Sequence, residues 1–347
     1  MSSGIENSPI LAVEASRGEN PLTPDAARTP LNRLAAAFQR PGVAAVVVLV
    51  VVVVVASLIW PSFHSADNLR NVVLGQSYLG ILAIGMTLVI ITGGIDLSVG
   101  SVFALGGVVG VWFNSHGGVV FAIVMTLLVC GAVGLVNGTL IAYGGMAPFI
   151  VTLAALFGVR GLVYQLTNAG ATTYQAPKDS AFAHLGTGLW FSFGIPIFIA
   201  IAAYIIGYVV LERTPFGLAV FSIGGSEAAA TLMGLKVRRT KVILYVASAM
   251  LAGIAGMLQA AQLVSASPII ASGYELSTIA AVVIGGTLLT GGSGSLLGTA
   301  AGVLLLGAIT SILTELQLQS AWNQVVQGAF LVVVVTLQRV LNRARQK

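Results

Sequence analysis

The chain has 347 residues, 16 Lys and Arg against 11 Asp and Glu, and a composition that is 57% hydrophobic and only 8% charged. A mean hydropathy of +0.98 excludes an ordinary soluble domain, whose core could not take up that much apolar surface. The pI near 9.6 is no nucleic-acid signature either, because the basic residues flank apolar runs and do not alternate with aromatics on a polar face.

In chain order, residues 1–40 are polar, with four Arg and four Pro, and are expected to form a disordered cytoplasmic tail. The apolar run that follows, from about 43 to 60, is too long for the core of a secretory signal and has no small-residue cleavage site behind it. It reads as a first membrane-spanning helix, which needs ~20 apolar residues. Further runs cover about 75–92, 97–113, 118–142, 147–167, 189–211, 241–264, 275–290, 296–314 and 324–341. The expected fold is therefore an all-α polytopic transmembrane bundle of about ten spans. Residues 41–342 would form the membrane domain and 343–347 a short basic tail.

Charge sets the orientation. Thirteen cations fall in three clusters: Arg17, Arg28, Arg33 and Arg40; Arg213, Lys236, Arg238, Arg239 and Lys241; and Arg339, Arg343, Arg345 and Lys347. Positive loops stay cytoplasmic, and ten spans place all three clusters and both termini inside. Arg70 and Lys178 then lie outside. Two Gly-rich junctions, near 93–100 and 291–294, also read as broken or re-entrant helices, which membranes tolerate only where protein or a water-filled cavity surrounds the backbone.

The 42 glycines recur at helical spacing. Gly294, Gly298 and Gly302, Gly134 and Gly138, and Gly106 and Gly110 each form a smooth face, either for tight packing within the chain or for a surface between subunits. Cys130 is the only cysteine and there are three His, so neither a disulfide framework nor a metal site is expected.

Three stretches carry more than packing. In Thr92-Gly93-Gly94-Ile95-Asp96-Leu97-Ser98-Val99-Gly100-Ser101, Asp96 is an acid inside an apolar region. Such a charge marks function by default, yet Asp96 is also placed to cap a helix beginning at Leu97. Both readings are open. The second stretch, Pro148-Phe149-Ile150-Val151-Thr152-Leu153, leads to Arg160, which either snorkels to the outer headgroups or holds a helix junction. A direct Arg160–Asp96 pair is not expected, because the threading sets Asp96 near the inner face. The third is the cytoplasmic loop from Thr214-Pro215-Phe216-Gly217 to Gly224-Gly225-Ser226-Glu227-Ala228-Ala229-Ala230. Ser226 caps a short helix there that Gly234 ends, as a docking device or as a membrane-surface helix anchored by Lys236 to Lys241.

These stretches, together with Gly273-Tyr274-Glu275-Leu276 and Ala280-Ala281-Val282-Val283-Ile284-Gly285-Gly286-Thr287, resemble the membrane permease of ribose, xylose, galactose and related sugar ABC importers. The likeness runs from about 65 to 340, with four motifs in order. It implies a subunit of the bacterial inner membrane that works as a pair, a homodimer or a heterodimer, with an ABC ATPase in the cytoplasm and a periplasmic or lipid-anchored sugar-binding protein outside. The sugar or polyol itself is chosen by that binding protein. The ATPase-coupling helix of the family falls on Ser226 to Gly234, with Glu227 at its polar start. Thr92, Gly93, Gly94, Asp96, Ser98, Gly100, Arg160 and Glu275 are the candidates for translocation or gating. The long N-terminal tail departs from the family pattern.

The chain contains no Gly-x-x-x-x-Gly-Lys-Ser/Thr loop for binding ATP, so energy would have to come from a partner. A series of buried acids or histidines, as proton-coupled carriers use, is also missing from the sequence, which counts against a secondary sugar transporter. A passive channel is a further alternative. A membrane enzyme is more distant, since no nucleophile–base or paired-carboxylate pattern is visible.

Overall fold

The computed structural model describes residues 42–318 continuously and isolated positions between 322 and 336. The expected tail at 1–40 and the basic end at 343–347 lie outside the described residues, as does most of the span expected at 324–341. The described chain is almost wholly helical: α1 Val43–Ile59, α2 Ala66–Ile91, α3 Val99–Ala142, α4 Pro148–Leu166, α5 Ala181–Thr187, α6 Ile195–Arg213, α7 Pro215–Gly225, α8 Glu227–Leu232, α9 Val237–Leu263, α10 Tyr274–Ile284 and α11 Leu296–Glu315. Four two-residue strands, β1 Tyr174–Gln175, β2 Leu189–Trp190, β3 Phe193–Gly194 and β4 Ser265–Ala266, pair antiparallel as β1 with β4 and β2 with β3.

Among the described residues six helices, α2, α3, α4, α6, α9 and α11, are long and apolar enough to cross a membrane. The chain is a multi-pass membrane protein. α3 has 44 residues, roughly twice what the ~30 Å hydrocarbon layer requires at ~1.5 Å per residue. It is broken at Gly118, where φ is 78° and ψ −176°. The break separates two helical stretches that correspond to the runs expected at 97–113 and 118–142. α2 begins nine residues before the expected 75, because Ser65 caps it by accepting from the Asn68 N–H at 3.3 Å. The run expected from 189 starts as the β2–β3 hairpin and becomes helical only at Ile195. The run expected at 275–290 stops at Ile284, since Gly286, Gly291 and Gly292 all adopt positive φ.

α2 is the central helix: every residue from Ser77 to Ile91 is buried, as expected for a helix apolar on all sides. α3 and α9 form the most extensive pairing with each other, and α9 and α11 pack most closely against α2. The glycine faces explain how they approach so closely. A Cβ at Gly106 would fall 2.5 Å from the Gly253 Cα, and one at Gly138 would fall 2.8 Å from the Val242 Cα. Gly298 and Gly302 meet the backbone of α10 and the turn after it in the same way. Of the two readings of these stripes, packing within the chain accounts for all three stripes, two of them on the α3–α9 pair. α4 and α6 turn large apolar side chains outward, with Ile150, Phe157, Ile205 and Ile206 all more than half exposed, as a lipid-facing surface requires.

Contacts sort the loops into two ends. At one, the Arg70 guanidinium lies over the Phe193 ring at 5.7 Å, Asn68 donates to Ser311 Oγ at 3.0 Å, and β1 joins β4. At the other, the turn after α3, the helix α8 and the start of α9 line one cavity.

Candidate functional site

The Asp96 junction is built by ending one helix and starting another inside protein. α2 closes with Gly93 N–H donating to Ile90 O at 2.8 Å and Gly94 N–H to Val89 O at 3.1 Å. Gly93 has φ +77°, where a side chain would be strained. The chain then runs through Asp96 to α3, which begins at Val99; Leu97 and Ser98 form a turn, two residues later than the sequence suggested.

Asp96 is 1% exposed, and both its oxygens accept hydrogen bonds. Oδ1 takes the Ser98 N–H at 3.1 Å and the Ser98 hydroxyl at 2.6 Å; Oδ2 takes the Ser248 hydroxyl of α9 at 2.9 Å. The Ser98 oxygen in turn accepts from Asn137 Nδ2 at 3.1 Å. Thr152 of α4 has its hydroxyl 3.1 Å from Ile95 O and 2.9 Å from Pro148 O. The carboxylate therefore holds a backbone donor at the start of α3, as a cap does, and ties that start to α9. No cation among the described residues pairs with it; the ion pairs there are Arg70–Asp67 and Lys241–Glu227. Beside it the Tyr245 hydroxyl is buried without a partner, 2.6 Å from where a Cβ on Gly94 would sit.

The two Gly-rich junctions meet. Gly292 N–H donates to Ile91 O at 2.8 Å, and Gly224, next to the end of α7, presses against the same carbonyl. A Cβ at Gly224 would overlap Ile91 O and lie 2.5 Å from Gly292 N. Three segments far apart in sequence, at 91–98, 224–225 and 291–294, thus pack backbone to backbone, and Thr152 attaches the Pro148 segment to the same spot. Such close approach leaves little room for one segment to shift alone.

Arg160 and Glu275 lie elsewhere. The Arg160 guanidinium donates to Pro268 O at 3.0 Å and Ile270 O at 3.2 Å, so it ties α4 to the segment ahead of α10 and does not meet Asp96. Glu275 Oε1 accepts from Gly273 N–H at 3.3 Å. Its Oε2 is buried without a partner against Gly100, where a Cβ would overlap it. The Tyr274 ring meets Phe103 at 5.4 Å.

The loop between α6 and α9 is more structured than expected. Thr214 caps α7 by accepting from Gly217 N–H at 3.4 Å, with Pro215 in the first turn, a Thr-Pro start signal that the sequence reading left as polar loop. Phe216 packs in the cluster with Leu211 and Val220, and a Cβ at Gly217 would overlap Leu211 O. Ser226 caps α8 by accepting from Ala229 N–H at 3.2 Å, and Gly234 follows at φ +79°. Glu227 pairs with Lys241 at 2.6 Å, and Ala228 is exposed. Ala230 is 1% exposed against Ile223 and Val237, whereas Leu232 is 89% and Met233 76% exposed. α8 is thus held to the body by Ala230 and by the Glu227–Lys241 pair, and its end offers two large apolar side chains to the outside.

Sequence reasoning missed Ser248, Asn137 and Tyr245. All three are polar groups within otherwise apolar helices, a signal that marks interhelical hydrogen bonding. It also missed the Gly224–Ile91–Gly292 contact, which runs through backbone and leaves only the glycines as a trace.

The family described as branched-chain amino acid transport system / permease component matches residues 68–335. Among curated relatives, the ribose import permease protein RbsC of Bacillus subtilis is 38% identical over 82% of this chain and 88% of its own length. The fructose import permease protein FruG of Bifidobacterium longum is 36% identical over 86% and 90%. The L-arabinose ABC transporter permease protein AraH of Azospirillum brasilense is 33% identical over 93% and 95%. No solved structure matches the chain. On the extent of these matches, the chain belongs to the family of membrane permease components of ABC transport systems.

Proposed function

We propose that this chain is the membrane permease of an ATP-driven importer for a monosaccharide or related polyol. It works as a pair, receives sugar from an exported binding protein and is driven by a cytoplasmic ABC ATPase in the bacterial inner membrane. Ten spans cross with both termini inside. Grouping of the 141–148 turn with α8 and the start of α9, opposite the end that carries Arg70, supports this threading. The ribose, fructose and arabinose in the relatives' names support the substrate class.

One observation carries the mechanism: α8, with Leu232 and Met233 exposed, is joined through Ser226 and Gly225 to Gly224, which packs on Ile91 O and Gly292 N. The ATPase docks on α8. Movement of its docking cleft is passed through α7 to the paired junctions at 91–98 and 291–294, and so to the helices they join. Asp96 keeps the start of α3 attached to α9 while this happens. Arg160 and Glu275 act on the segment ahead of α10. The chain's own residues supply a path and a lever, and the partner supplies the energy.

Proteoliposomes carrying the chain with its ATPase and binding protein test this reading. Uptake of radiolabelled sugar that requires ATP and both partners is the expected result. Uptake by the chain alone, down a sugar gradient or with a proton gradient, would replace the importer by a channel or a secondary carrier.

A further inference from the structure

At the end that carries α8, the structure opens a cavity of about 850 Å³ between the turn after α3 and the start of α9. Lys236, Arg238, Arg239 and Lys241 line it against a single acid, Glu227, which Lys241 already holds at 2.6 Å. The Arg238 guanidinium lies over the Tyr143 ring at 5.8 Å. Lys236 and Arg239 have no ion-pair partner among the described residues. The 27-residue helix α9 also starts here, with no side-chain cap and no acid in its first turn. Its positive dipole end adds to the cations, with no acid in the first turn to offset it.

So much uncompensated charge in one concavity calls for an anion, and the surroundings specify its kind. Tyr143 and Met146 on the wall are exposed, as are Phe149 and Ile150 on the adjoining surface of α4, continuous with the face read above as lipid-contacting. An anionic head with apolar chains fits both parts. We infer that the cavity holds the headgroup of an anionic phospholipid, its acyl chains running along Phe149 and Ile150. Because Glu227 and Thr231 also line the cavity, the lipid braces α8 from behind. This inference rests on the chain lying in a membrane and not on what docks on α8.

Native mass spectrometry of the delipidated full chain, titrated with phosphatidylglycerol or phosphatidylcholine, tests it. Phosphatidylglycerol should bind in clear preference. The preference should fall about fivefold for each charge removed by Lys236→Gln and Arg239→Gln, the contribution of one basic residue at an anionic surface. Lys178→Gln, in a loop at the opposite end, should leave it unchanged. Inorganic phosphate and glycerol phosphate should not displace the lipid. Equal binding of the two lipids, or a preference that survives the double substitution, would overturn the proposal. Displacement by inorganic phosphate at the same concentration would make this a site for free anions and overturn the lipid assignment.

Discussion

Two motif segments that look equally polar in sequence end up in opposite states. The Asp96 junction is closed: its carboxylate is buried and takes three hydrogen bonds, and its glycines are in contact with two other segments. α8 is open: it is anchored by Ala230 and the Glu227–Lys241 pair and leaves Leu232 and Met233 almost bare. A side chain that has all its partners within the chain contributes to the fold and to transmission through it. Two large apolar side chains left exposed at the C-terminal end of a six-residue helix contribute little to the fold and await a partner. The contrast separates the part that carries a movement from the part that receives it.

The largest expected effect lies at the open end. Replacing Leu232→Glu together with Met233→Glu puts charge into an apolar contact and should reduce ATP-driven uptake by about a hundredfold or more, the scale of losing an interface hot spot. Thermal stability should not change, because both positions are largely exposed. Normal uptake in this variant would remove α8 from the docking surface. At the link between the regions, Gly224→Ala forces a Cβ onto Ile91 O and should lower stability by about 3 kcal/mol, the upper end for overpacking, with uptake falling in parallel. A thermal unfolding curve matching that of the unchanged chain would mean that the three-segment contact is loose.

The closed end should show a finer distinction. Asp96→Ala leaves Ser98 N–H and both serine hydroxyls without their acceptor, at a cost of about 1.5–3 kcal/mol for each bond to a charged group lost without replacement. Asp96→Asn keeps an acceptor for Ser98, and the Ser248 hydroxyl can rotate to accept from the new amide. Uptake per folded molecule should therefore survive in Asn and fail in Ala. Equal loss in both would show that the charge itself takes part in transport.

Much of this was legible in the sequence because the membrane simplifies the code. Runs of apolar residues marked the long helices, and Ser226 with Gly234 marked both ends of α8. The orientation of Arg160 was not legible, because its partners are the carbonyls of Pro268 and Ile270, and a carbonyl leaves no trace in residue identity. The same reason hid the meeting of the two glycine junctions. α7 was missed although Thr214 and Pro215 announce it, since eleven residues are too few to register as a span. The hairpin at Leu189–Gly194 was read as membrane helix because Leu189, Trp190, Phe191 and Phe193 are apolar; they are exposed at the end of the bundle.

The central claim is that α8 is the receiving surface, and site-directed crosslinking addresses it directly. Cys130 is the only cysteine and is buried, so Cys130→Ala gives a background on which Leu232→Cys introduces a single accessible thiol. With the ATPase subunit present in membranes, a short bifunctional thiol reagent should join position 232 to that subunit, while Lys178→Cys at the opposite end should give no such product. A crosslink from 178 and none from 232 would contradict both the docking assignment and the orientation of the chain.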